Sequence, residues 1–290
     1  MKRRFKVLFL TLLTSIFTLS CEREVVNVVG GNNPPEDPTV SFQQRDRYIE
    51  RVYITLLGRK PDTAEHSAAR AIIDQNPRDS AQRYTWLSSI TSSRSVAVKR
   101  WDDIRSELLE SVDTTEIANL IVSLSILMQG APPEQQFIYQ AEIDRLVRIQ
   151  FVPDSLHTGT YSTRDAHRLA VDNAIYDDIN MGSENFVVSV FDHFLYRYPT
   201  QFELESSKRM VEGFRDVLFL QGGEGKQDFL DIFYNSDGYV EGQVRYVYSN
   251  YLFREPLAYE LLTERDRFKA DYDFESMQLR ILSTDEYFFL

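Results

Sequence analysis

The sequence predicts an all-α fold built from repeated helical hairpins, and three observations predict it. One short pattern occurs three times, from Tyr53 to Glu65, from Phe191 to Glu203 and from Tyr248 to Glu260. Each copy sets an aromatic residue six positions before an Arg, Leu two before it, Pro two after it and Glu six after it. A single R-x-P-x-x-x-E would carry no weight, but three with the same upstream spacing make an internal repeat. The residues ahead of each Arg are apolar at helical spacing: Ile49, Val52, Tyr53, Leu56 and Leu57 in the first copy, with Val187 to Leu195 and Val244 to Leu252 following the same rule. That spacing marks one buried face of a helix. Two units also close alike, Ser236-Asp-Gly-Tyr239 and Thr284-Asp-Glu-Tyr287 each offering an N-cap hydroxyl ahead of a new helix. In the first unit Trp86 to Val96 holds the equivalent place without the Asp and the aromatic.

Each corner follows from proline chemistry. The residue before a proline is pushed out of the α region, so the first helix should end near the Arg-x pair. Proline is tolerated in the first turn of the next helix, which puts the Glu close to that helix's start. An Arg at the end of one helix complements its negative pole, and the Glu is near enough to pair with it. Arg59 with Glu65, Arg197 with Glu203 and Arg254 with Glu260 are therefore read as structural clasps. The alternative is a catalytic or ligand-binding Arg and Glu, but repetition at three corners suits a building block better than one active site.

This layout resembles two bacterial domain families of unknown function. One is a repeat domain of extracellular and surface proteins. The other is the N-terminal cytochrome-associated domain of planctomycete proteins, to which Arg51 to Trp101 is most similar. The resemblance implies a helical repeat and no catalytic mechanism. No C-x-x-C-H accompanies it, so the cytochrome link brings no haem and no cofactor is expected.

Residues 1–20 are read as a signal peptide. Lys2, Arg3, Arg4 and Lys6 form a basic start, and Val7 to Leu19 form an apolar core too short to span a bilayer. Thr18-Leu19-Ser20-Cys21 resembles the bacterial lipobox, with Thr18 where an aliphatic residue is usual; the resemblance implies a diacylated Cys21 as the new N-terminus. Cys21 is the only cysteine, so no intrachain disulfide can form. Residues 21–44, with Gly30, Gly31, Pro34, Pro35 and Pro38, have no amphipathic face and are expected to be a flexible tether. Glu22 and Glu24 resemble the acidic surface-export signals of Bacteroidota lipoproteins, although Arg23 interrupts them. The expected location is the outer membrane of a Gram-negative bacterium, on its periplasmic face or at the cell surface.

The remaining chain, about 250 residues, is enough for one large helical domain or two smaller ones. Residues 45–183 are expected to hold the first unit, and residues 184–290 the two abutting ones. Loss of the four basic residues of the signal leaves 28 positive charges against 44 negative, a net of −16. That argues against nucleic acid or anionic headgroups as partners. Ile117 to Met128 is strongly apolar yet too short for a membrane span, and is expected to be a buried helix. It runs into Pro132, with Gln136 four residues on, and is either a fourth, degenerate unit or an unrelated inserted helix pair. Residues 151–164 read as a loop, and Gly222 to Gly225 as a helix stop.

Searching for chemistry returns little. No G-x-S-x-G, H-E-x-x-H or phosphate-binding glycine loop occurs. His66, His157, His167 and His193 are expected to be structural or solvated; a Ser155 or Ser162 nucleophile with His157, His167 and Asp165 lacks a supporting motif. The Asn235-Ser-Asp237-Gly238 segment fails as a calcium loop, and Asp177, Asp178, Asn180 and Glu184 read as a solvated turn, so no metal is expected. The preferred function is a non-enzymatic interaction scaffold that binds an envelope protein or glycan, anchored to the membrane through lipid on Cys21. The alternative is an envelope hydrolase using Asp154, Asp165, Asp177 and Asp178 with His157 or His167 as base, and it requires those acids to converge in one pocket. Substituting Cys21→Ser should abolish incorporation of labelled palmitate and move the protein from the membrane to the soluble fraction. Unchanged labelling would exclude the lipobox reading.

Overall fold

The computed structural model describes residues 40–290, which form one compact unit. The signal, Cys21 and most of the tether lie outside the described residues. The first helix begins at Phe42, capped by the Ser41 hydroxyl, so ordered structure starts inside the stretch expected to be tether. Among the described residues there are sixteen helices and one two-stranded sheet. The first unit comprises α1 (Phe42–Leu57), α2 (Thr63–Ile73) and α3 (Ser80–Thr91), and leads into α4 (Arg94–Leu108). Then come α5 (Thr114–Gly130), α6 (Pro133–Gln150), α7 (Val152–His157), α8 (Thr163–Val171) and α9 (Ala174–Ile179). The second unit is α10 (Ser183–Leu195), α11 (Gln201–Val211), a hairpin of β1 (Arg215–Leu218) and β2 (Gln221–Glu224), and α12 (Lys226–Tyr234). The third is α13 (Asp237–Leu252), α14 (Ala258–Asp271) and α15 (Phe274–Leu282), followed by α16 (Asp285–Phe289).

The three corners are built from the same contacts. At each, the Arg and Glu meet through two hydrogen bonds, at 2.6 and 2.6 Å for Arg59–Glu65 and 2.8 and 2.7 Å for Arg197–Glu203. The Arg254–Glu260 pair repeats them at 2.7 and 2.8 Å. Each Glu is the third residue of its helix and also accepts from a backbone N–H at the N-cap, that of Asp62, Thr200 or Leu257. One carboxylate thus holds both the N-cap N–H and the guanidinium; Asp62 and Thr200 return the bond to the Glu N–H and complete a capping box, which the Leu257 side chain cannot do. Each Arg donates to the carbonyl of the residue after it and lies over the ring six positions earlier, 5.9 Å from Tyr53, 5.4 Å from Phe191 and 5.1 Å from Tyr248. Proline sits one residue before the N-cap, outside the first turn where it was expected. The first helix stops because the residue before each Arg is left-handed: Gly58, Tyr196 and Phe253 have φ of 69°, 53° and 55°.

The α5–α6 hairpin keeps the helix-Pro-helix outline but not the clasp. Pro132 is itself the N-cap, Ala131 is extended and not left-handed, and the Gln136 amide donates to the Ala131 carbonyl. The expectation of a buried helix at Ile117 to Met128 is overturned: only Ile117 is buried, and Val122, Ile126 and Leu127 are each more than half exposed. α5 packs mainly on α6: Ile117, Leu120, Ile121 and Leu124 turn to the core, and Val122, Ile126 and Leu127 on its other side stay exposed. Nor is any described helix long and apolar enough to cross a membrane. Two further expectations fail. Residues 152–157 are helix α7, since Pro153 falls in the first turn, where its missing N–H costs nothing. The Gly222 to Gly225 run is strand β2 and the entry to α12, and a Cβ at Gly223 would come within 2.8 Å of Asp228 Cβ.

The two ends of the described chain meet. The Tyr48 hydroxyl donates to the Leu282 carbonyl at 3.1 Å, and its ring lies 4.7 Å from that of Phe288. Arg83 on α3 is fully buried and bonds the carbonyls of Ser283 (2.8 Å) and Pro77 (2.6 Å) and the Asp285 carboxylate (2.5 Å). Ser236 and Thr284 cap α13 and α16 through the N–H groups of Tyr239 and Tyr287, and both tyrosines are buried. α10 and α13 cross so closely at Gly242 that a Cβ there would fall 1.8 Å from the Phe194 carbonyl oxygen. Arg83→Ala strands the Ser283 and Pro77 carbonyls, frees the solvent-exposed Asp285 carboxylate and leaves a cavity, a loss of about 3 kcal/mol. Circular dichroism should show melting roughly 6–12 °C lower; an unchanged melting temperature would mean the chain ends are held together by something else.

Candidate functional site

The convergence of the units creates a funnel. Its floor is a cavity of about 50 Å³ between α1, α4, α8, α10, α13 and α15. This opens into a mouth of about 590 Å³ that shares Thr55, Lys99, Asp103, Glu107, Tyr196 and Tyr251 with it. The repeat explains the placement. Two residues after each unit's aromatic stand Thr55, His193 and Asn250, and three after it stand Leu56, Phe194 and Tyr251. All six line the funnel or its mouth. Each unit's first helix therefore aims the same pair of positions at one shared space, and α4 closes the remaining side. Tyr196 reaches the mouth from the left-handed turn that ends α10, a conformation costly for a residue with a Cβ.

The funnel is polar but nearly charge-balanced. Lys99 is paired with Asp103, and Arg100 bonds the Gln278 amide oxygen at 3.0 Å and approaches Glu275 at 3.8 Å. Gln278 passes the chain of bonds on to the Tyr251 hydroxyl at 2.7 Å. His167 accepts or donates through Nδ1 to the Tyr239 hydroxyl at 3.0 Å, and His193 does so to Tyr176, also at 3.0 Å. Burial lowers both imidazoles, His167 to about 3, so they stand neutral at pH 7. Glu107 retains solvent contact at the lip, yet the surrounding protein raises its carboxyl above the ordinary range, assisted by the nearby Asp103. Burial also raises the hydroxyls of Tyr196, Tyr246 and Tyr251.

Several funnel groups lack partners. Gln243 is 3% exposed and Thr163 6% exposed, and neither side chain makes a hydrogen bond with another described residue. The Tyr246 hydroxyl and the Glu107 carboxylate are likewise without one. None of these polar atoms is among the fully buried unpaired ones, which lie on Arg45, Gln82, Arg105 and Ser207; they face the cavity, where water or a ligand can supply the bonds.

Of the residues singled out from the sequence, His167 and His193 line the funnel and the others lie elsewhere. The six corner residues occupy the outer turns, and Arg254 reaches two carboxylates, Glu260 and Glu286. Asp154 pairs with Arg94, and Asp177 with Lys226. Asp165 caps α8 from within its own turn and also lines a second, shallower cleft with Arg145, Arg148 and Arg168. Ser162 donates to Asp165, and His167 faces Tyr239, so no Ser–His–Asp chain exists among them. His66 lies 3.3 Å from Asp46, and His157 is exposed. No described group of three or more His, Cys, Asp or Glu could hold a metal. Sequence reasoning did not single out Lys99, Asp103, Glu107, Thr163, Gln243 or Tyr246. The available signal was the polar position two residues past each repeat aromatic, where Thr55, His193 and Asn250 each stand just before Leu56, Phe194 or Tyr251.

Comparison with known proteins supplies no precedent: no family model, curated protein or solved structure matches the chain.

The buried histidines make the fold acid-sensitive. His167 falls from the ordinary 6.5 to about 3, so between these values the unfolded chain takes up a proton that the folded one refuses. Its contribution is complete above pH 6.5 and is lost as pH falls towards 3. The Glu203 carboxyl, despite its burial, is held by Arg197 and the Thr200 N–H at about 2 against an ordinary 4.5, and its contribution fades from 4.5 downwards. Denaturation midpoints should therefore begin to drop near pH 6.5, and His167→Gln should flatten the slope between 6.5 and 4.5. A variant with the wild-type slope would show that His167 is not the group responsible.

Proposed function

We propose that this protein is a non-enzymatic helical scaffold, held at the outer membrane by lipid on Cys21, that binds an envelope glycan or protein in the central funnel. The observation that carries it is the convergence of equivalent polar positions, Thr55, His193 and Asn250, on one partly unsatisfied space. Structural helices gain nothing from burying Gln243 and Thr163 without partners, whereas a ligand site does. The exposed apolar side of the α5–α6 hairpin is a second feature that suits an interaction protein.

A hydrolase working through the acids of residues 151–185 has no comparable support. Asp154 and Asp177 are engaged by separate cations, and Asp165 is spent as a helix cap.

The test is capture of the lipidated protein from outer-membrane extract in mild detergent, comparing wild type with Glu107→Arg. Glu107 lies at the open lip, so its substitution should leave folding intact while blocking the mouth. Recovery of the bound component should fall about tenfold or more. Equal recovery from both proteins would remove the funnel from the binding role.

A further inference from the structure

The funnel's chemistry narrows what can enter it. Its floor offers an amide at Gln243, a hydroxyl at Thr163 and the unbonded Nε2 atoms of His167 and His193. Between them these groups ask for both donors and acceptors, which excludes a purely apolar occupant. They also ask for no charge. The two histidines are neutral, and the Lys99 and Asp103 charges already neutralise one another. Arg100 is held by Gln278 with Glu275 behind it. A carboxylate pushed onto the floor would lose its water and meet no free cation, and an ammonium would find an unpaired carboxylate only at Glu107, which also borders the open mouth. The walls add flat apolar surface from Phe194, Tyr246, Tyr251 and Phe274, beside hydroxyls that can reach a ligand edge. The mouth, at about 590 Å³, lies in the range of small-molecule sites, and the floor, at about 50 Å³, admits only a small projecting group.

We propose that the funnel binds the terminal residue of a neutral saccharide, with a projecting hydroxyl or hydroxymethyl on Gln243 and Thr163 and the ring against Tyr246. A sugar hydroxyl both donates and accepts, so it satisfies amide, hydroxyl and imidazole together without bringing charge. Its C–H face packs on an aromatic ring. A peptide C-terminus fails on charge, and a lipid chain leaves the floor groups unpaired. This assignment rests on the funnel being the binding site and names its ligand class.

Isothermal titration of the intact chain with maltose and with N,N′-diacetylchitobiose tests it, with glucuronic acid and glucosamine as charged controls. Saturable binding of at least one neutral disaccharide is expected at millimolar concentration or below, with no saturation by the charged sugars. Gln243→Leu should weaken that binding by about tenfold or more. Because Gln243 has no partner to lose, the same variant should melt at or above the wild-type temperature, which separates a lost contact from a lost fold. Binding of neither disaccharide, preference for a charged sugar, or wild-type affinity in Gln243→Leu would each overturn the assignment. If the sugars fail while Glu107→Arg still loses its membrane partner, the ligand class falls and the scaffold reading stands. If both experiments are blank, the scaffold reading falls as well.

Discussion

A single carboxylate at each corner holds the architecture together. Glu65, Glu203 and Glu260 each satisfy an N-cap N–H of one helix and both outer nitrogens of the Arg that ends the preceding helix. The Arg in turn covers an aromatic ring from its own helix and fills a carbonyl. Exposed ion pairs contribute little by themselves. Here the charge pair is coupled to a cap, a ring and a left-handed turn, so its main effect is on direction. It fixes how the second helix leaves the first, through the same bonds and the same left-handed residue in all three units.

Fixed corners leave the C-terminal ends of the first helices free to point inward. α10 and α13 can approach because Gly242 has no Cβ, and α1 is drawn in by α16, whose Tyr287 hydroxyl meets Thr55 at 2.9 Å. Arg83 seals that closure from the other side, with each of its three nitrogens bonded to a named acceptor. The buried Arg is tolerated because no nitrogen lacks an acceptor and its charge is paired with Asp285. The funnel is the opposite case: Gln243 and Thr163 have no protein partner and line an open cavity. The fully buried polar atoms without a partner lie elsewhere, on Arg45, Gln82, Arg105 and Ser207.

The parts legible in the sequence were those made by neighbours in the chain. Arg and Glu six residues apart, a Pro between them and an aromatic one and a half turns earlier can meet with no help from the rest of the molecule. The cap hydroxyls of Ser236 and Thr284 were readable for the same reason. The failures have a common physical cause. The apolar run of α5 said only that the helix prefers company, and whether a second surface exists is settled by where α6 and the domain body lie. The glycines at 222 and 223 resembled a helix stop because their pairing strand lies upstream, with Asp216 opposite Gly223 and Val217 opposite Gly222.

By itself, the sequence determined an all-α repeat, its three corners and the buried faces of its first helices, because capping, proline geometry and helical periodicity act within a few residues. The tertiary structure alone decided that these helices surround a common space. It also decided that Glu107 and Asp103 on α4 face Tyr246 and Tyr251 on α13, more than a hundred residues away. Such a meeting depends on crossing angles and on the closure of α16 against α1. No local pattern encodes either, so residues that look like ordinary helix-surface groups in the sequence become the lining of a site only when the ends are brought together.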